Sequence, residues 1–217
     1  MLTKDNVINA AIYGILNAND FYEKISNGFS IDGSGVEGLL QTKIAEAIFD
    51  MLPKDTDGFL SEESIVLEHS FKEIFAESGA GKSRGRIPKL VNGAKRIDIL
   101  IMSKDGKPLI PIEVKRNAAA DGFAVDANRI FGILKRSDNL AGGSVKFGLI
   151  CGFISGRGHS KSDCLDDIKR KKAKCIENIE NSNISQGNMY HQFDEPKKFE
   201  DEGWWVGGAI CVYLRRQ

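Results

Sequence analysis

Three side chains near the middle of the chain could do chemistry together. Asp98 lies in the apolar run Ile97 to Met102, and Glu113-Val114-Lys115 closes the next apolar run. If the two runs lie side by side, Asp98 and Glu113 face each other with Lys115 on the same face. Directly opposed strand residues have Cβ atoms about 4.5–5.5 Å apart, and like charges there are destabilising. A divalent cation held between the carboxylates offsets that repulsion, since Mg²⁺ takes one or two carboxylates and keeps several waters.

A β-hairpin over residues 96–117 would supply this geometry. Asp105-Gly106 is the turn signal, because a type I′ turn needs φ > 0 at both central residues. Lys104 then pairs with Lys107, Met102 with Leu109, Ile101 with Ile110 and Asp98 with Glu113. Side chains alternate along a strand. Ile97, Ile99, Ile101, Ile112 and Val114 are expected on one face, and Asp98, Glu113 and Lys115 on the other. Pro108 and Pro111 cannot donate ladder hydrogen bonds, so their strand is expected at an edge or bulged.

Asp98 followed by Glu113-Val114-Lys115 on two apolar strands resembles the PD-(D/E)xK superfamily, the restriction-endonuclease-like nucleases. Ile97 stands where the family motif often has proline. The resemblance implies an α/β fold with a central mixed sheet flanked by helices. It implies that Asp98, Glu113 and the Val114 carbonyl hold Mg²⁺, with Mn²⁺ as a possible substitute. Lys115 would orient or activate the attacking water and offset charge at the phosphate. The implied activity is hydrolysis of DNA phosphodiesters, as a restriction-type endonuclease acting as a homodimer. Repair, recombination or phage-type nucleases on the same scaffold are the alternative, as is a module that only binds DNA.

Family members commonly carry a further glutamate on the first core helix. In residues 36–52, Leu40, Ile44, Ala47, Ile48 and Met51 form an apolar stripe, and one turn back along it stands Glu37. Glu37 is therefore the expected third acid of the metal site. Its other reading is stabilisation of the helix N-terminus, worth about 0.3–1 kcal/mol. Gln41 flanks the stripe, Glu46 belongs to the polar face, and Glu68 is the rival acid.

Composition narrows the partners. The 217 residues carry 30 Lys+Arg and 30 Asp+Glu, so DNA contacts must come from local patches rather than a basic coat. Lys82, Arg84, Arg86, Arg96 and Arg129 are the candidate DNA-binding residues. The first three sit in SGAGKSRGRIPK, which lacks the spacing and following helix of a phosphate loop, so no nucleotide cofactor is expected. The four cysteines form no metal spacing and sit in apolar runs, as reduced core thiols of a cytoplasmic protein do. No signal peptide or membrane-spanning run is evident.

The elements expected around the hairpin follow an α/β order. Helices are expected at 3–18, about 35–52, 124–140 and 162–180, with strands at 65–71, 145–154 and 204–214. Residues 1–217 read as one domain, with residues 1–35 a helical extension ahead of a catalytic core at 36–217.

Overall fold

The computed structural model describes residues 2–79, 95–118, 122–138, 142–180, 188–199 and 203–215. Along the chain come α1 (Lys4–Ile25), α2 (Ile31–Ser34), α3 (Glu37–Met51), β1 (Glu63–Ser70), α4 (Phe71–Glu77), β2 (Arg96–Ser103) and β3 (Pro108–Lys115). Then follow α5 (Gly122–Ser137), β4 (Gly148–Gly158), α6 (Lys161–Glu180), β5 (Met189–Phe193), β6 (Lys197–Phe199) and β7 (Gly203–Leu214). The seven strands form one sheet in the order β1-β2-β3-β4-β7-β5, with β6 also on β7. Only the β3–β4 pair is parallel, so the sheet is mixed.

Two apolar layers cover the sheet. Ile99, Ile101, Ile110, Ile112, Val114 and Cys151 point into one, against α1 and α3. Leu100, Met102, Ile150, Ile154 and Ile210 point into the other, against α4, α5 and α6. The alternation of β2 and β3 between these layers is the period-2 pattern of a strand buried on both faces. The chain is therefore α/β, with helices on both faces of a mixed sheet.

Several expectations need correction. The first helix runs to Ile25 rather than residue 18, and it lies in the same layer as α3, packed on β7, not ahead of the core as an extension. Asn19 and Asp20 resemble a helix stop because such residues favour turns. Asn19 is instead buried, its amide donating to Glu23 Oε1 (2.8 Å) and its oxygen accepting from Ile31 N (3.2 Å), which anchors α2. Gly14 lets α1 approach α3 closely, since a Cβ there would lie 2.6 Å from Ile44 Cα. Short elements α2, α4, β5 and β6 were not expected at all.

The hairpin turn also differs. Gly106 has φ 72°, but Asp105 does not share the left-handed region, and Ser103 N donates to Lys107 O (2.9 Å). The loop is thus three residues long, with glycine at its left-handed position. Met102 consequently faces Pro108 instead of Leu109. A bulge then absorbs one residue, so that Ile101 faces Ile110 and Ile99 faces Ile112 as expected. The two one-residue shifts cancel before the acids are reached. β3 is central rather than an edge; the bulge lies beside Pro108, and Pro111 pairs with Leu100 in regular register. Among the described residues no helix is long and apolar enough to cross a membrane. The four cysteines are buried and unbridged.

Candidate active site

The acids meet at the end of β3. Asp98 Oδ2 accepts from Val114 N at 2.6 Å, which turns the Asp98 carboxyl across the strand pair toward Glu113. Glu113 is only 2% exposed. Burial, the Asp98 and Asp126 charges and a hydrogen bond with Asp98 push its carboxyl up to about 9, against the opposing pull of Arg129. Burial also raises the Asp98 carboxyl, although the Val114 N–H pulls the other way. A buried and a half-buried carboxyl this close do not both ionise readily.

Lys115 comes to the same place from the strand end. Its ammonium lies 2.8 Å from Asp126 Oδ2 and 3.4 Å from Glu37 Oε1. Burial works against its charge, but the Asp126 hydrogen bond and the surrounding carboxylates more than offset this, so its pKa rises. Glu37, in the first turn of α3, also accepts from Arg116 N at 3.1 Å. It reaches the site as expected, but its carboxylate is spent on Lys115 and the peptide after it. The rival Glu68 lies beside Asp98 on β1. Gln41 Nε2 joins the two, donating to Asp98 O (2.5 Å) and to Glu68 Oε1 (3.2 Å). Glu68 has φ 55°, a conformation rare for a side-chain-bearing residue. The strand is distorted here, and Ile97 packs with Phe71 and Ile74 in the layer opposite Ile99, contrary to the expected alternation.

Asp126 was missed. It sits on α5 within the apolar stripe of Phe123, Ala127, Ile130 and Leu134, and a buried acid inside such a stripe is the signal that could have found it. Asp126 binds the Arg129 guanidinium as well as Lys115. Arg129, expected to contact DNA, turns inward instead: it pairs with Asp126 and stands 3.7 Å from Glu113 Oε1. One helical turn separates Asp126 from Arg129, so α5 presents both to the strand end. Arg96 is exposed at the start of β2, while Lys82, Arg84 and Arg86 lie outside the described residues.

Four carboxyl groups thus meet two cations in one connected cluster. Glu113 Oε1 is buried with no hydrogen-bond partner among the described residues. Such an oxygen normally has a partner. An ion bound by Asp98 and Glu113 would supply one. Among the described residues, no group of three His, Cys, Asp or Glu side chains is drawn together to hold a metal. The fit is therefore to a cation that accepts two carboxylates and keeps its water, as Mg²⁺ does. Comparison with protein-family models, curated proteins and solved structures returned no match.

Proposed function

We propose that this protein is a Mg²⁺-dependent deoxyribonuclease with a restriction-endonuclease-like fold, a DNA endonuclease of restriction type that hydrolyses phosphodiester bonds. One observation carries the reading: the Asp98 and Glu113 carboxyls converge in a buried site where Glu113 Oε1 has no partner and acids outnumber cations. Asp98 and Glu113, with the Val114 carbonyl, would hold the ion; Mn²⁺ could replace it. When bound, the ion supplies a lowered pKa for water and charge neutralisation at the phosphate.

The chain's own groups take the remaining roles. Lys115 stays protonated at neutral pH because its neighbours raise its pKa. It therefore acts as a fixed charge that orients water and phosphate, not as the base. Asp126 and Glu37 are positioning residues that aim the Lys115 ammonium. Arg129 fixes Asp126 on its far side. Gln41 pins the Asp98 peptide through its carbonyl, which keeps the carboxyl turned toward Glu113. Cutting both strands of a duplex calls for two such sites, so the acting form is proposed to be a homodimer, in the cytoplasm.

The test is incubation with plasmid, linear and branched DNA, with Mg²⁺, Mn²⁺ or chelator. Discrete metal-dependent fragments are the expected result. Preference for branches or ends would move the protein to the structure-specific alternative. Absence of any cleavage with either metal would refute the enzyme.

A further inference from the structure

A cleft of about 670 Å³ opens away from the acids, at the far ends of β4 and β7. Its walls include Phe29, Phe199, Trp204, Trp205, Asn27 and Arg157. β4 leads to it directly. Gly152 pairs with Lys115, and Arg157 follows five residues later on the same strand. At about 3.3 Å per residue that is roughly 16 Å, a few nucleotides along a strand whose phosphate lies at Lys115. The segment from Phe29 to Glu37 joins the two places as well. Its first residues line the cleft, and Gly35 O and Glu37 bind Arg116 and Lys115.

The lining is built for a flat polar ring. Phe29 is 65% exposed, yet its backbone is fixed: its N–H donates to Ser26 Oγ (3.2 Å), and Ser26 Oγ donates in turn to Tyr22 O (2.6 Å) at the end of α1. Asn27 (φ 60°) and Gly28 (φ 103°) make the left-handed turn that carries Phe29 outward. An aromatic ring held out to water beside a cleft has no role in the core. Deeper in, Trp205 stacks on Phe153 with ring centroids 6.2 Å apart. Its Nε1 is buried with no hydrogen-bond partner among the described residues. Buried indole N–H groups usually find an acceptor. Arg157 is exposed and forms no ion pair among the described residues.

We infer that this cleft binds a nucleobase of the DNA strand cut at Lys115, stacked on the exposed aromatic rings, with Arg157 on its phosphate. A base offers the flat face that Phe29 and Phe199 take, and the polar edge that the Asn27 amide takes. A cleft of this volume lies in the usual range for small-ligand sites, about 300–1,000 Å³. The identity of the bound strand rests on the nuclease reading; the affinity of the cleft for a base does not.

The two tryptophans are the only ones in the chain, so selectively excited tryptophan fluorescence reports on this cleft. The intact protein, in chelator, is titrated with nucleoside monophosphates, ribose 5-phosphate and inorganic phosphate. Saturable fluorescence change with the nucleotides, at least tenfold weaker with the two base-free compounds, is the expected result. Phe29→Ala, at an exposed position that leaves the core intact, is expected to weaken nucleotide binding about tenfold, the lower part of the range for lost base stacking. No nucleotide response, or an equal response to phosphate alone, overturns the inference. Cleavage assays on the same preparation separate the two ideas. DNA cut without a nucleotide response removes the base site only, and a nucleotide response without cutting removes the nuclease only.

Discussion

Glu113→Gln should stabilise the metal-free protein while abolishing the proposed nuclease activity. Glu113 in the folded chain is pushed up to about 9 from an ordinary 4.5, mainly by burial and then by Asp98. Because the folded value lies above the unfolded one, the group's stabilising contribution is complete below pH 4.5 and is lost as pH rises toward 9. Each unit of difference is worth about 1.4 kcal/mol. At pH 7 the unfolded chain has ionised and the folded one has not, so the handicap is about 3 kcal/mol, growing to about 6 kcal/mol at pH 9. Glutamine mimics the protonated carboxyl and removes it. For a chain of this size the gain at pH 7 corresponds to a rise in Tm of roughly 6–12 °C. Thermal unfolding of both proteins in chelator, at several pH values between 4.5 and 9, measures it. Mg²⁺ should then raise the wild-type Tm and leave the variant unmoved. A variant less stable than wild type, or a difference that does not change with pH, would show that Glu113 is ionised in the folded protein and refute the reasoning.

Other consequences are as direct. Lys115→Ala should lower cleavage at least about 10²-fold while calorimetric Mg²⁺ binding persists, and Lys115→Arg should rescue little because guanidinium is a planar fork. Asp98→Ala should lose Mg²⁺ binding itself, since a single carboxylate remains. Asp126→Asn should destabilise the fold by about 3–5 kcal/mol in denaturant titration, as breaking a buried pair does, and should lower the Lys115 pKa because the principal group raising it is gone. Gly14→Ala should destabilise by about 1–3 kcal/mol in the same assay, because its Cβ would meet Ile44 Cα and Lys43 O, both at 2.6 Å.

The sequence carried the pair of acids because two independent patterns agreed on it. Alternating apolar residues set the strands, and the Asp-Gly turn brought them together. The assumed turn type was wrong, but the compensating bulge at Leu109 hid the error from the acids. Glu37 was legible as the continuation of an apolar stripe on α3. The helix α4 was legible too and was overlooked. Ser70-Phe71-Lys72-Glu73 is a capping box, with Ser70 Oγ accepting from Glu73 N (3.3 Å) and donating to Glu73 Oε2 (2.6 Å). The strands β5 and β6 were not legible. His191, Gln192, Lys197 and Lys198 give little apolar alternation, and these segments exist because β7 offers them a ladder. The inward pairing of Arg129 was not legible for a related reason. A cation on a helix looks solvent-facing until the buried acid it serves, Asp126, is located.

A cluster of buried charges can be purely structural, and Arg129 distinguishes the two cases. If the cluster existed only to hold α5 against β3, its two cations would be shared evenly among its buried acids. Arg129 serves the buried acid Asp126 first and Glu113 only at longer range. Its Nη1 binds Asp126 and stops 3.7 Å from Glu113 Oε1, beyond hydrogen-bond reach. Lys115 likewise turns to Asp126 and Glu37. Both cations bind the positioning acids directly, and Glu113 and Asp98 receive only their longer-range attraction, against which burial prevails. Structural ion pairs distribute charge so that each buried ion is compensated. Here compensation is only partial for the two acids that face each other across β2 and β3. That uneven distribution is what the proposed site needs, since it leaves Glu113 Oε1 open to a cation from solution.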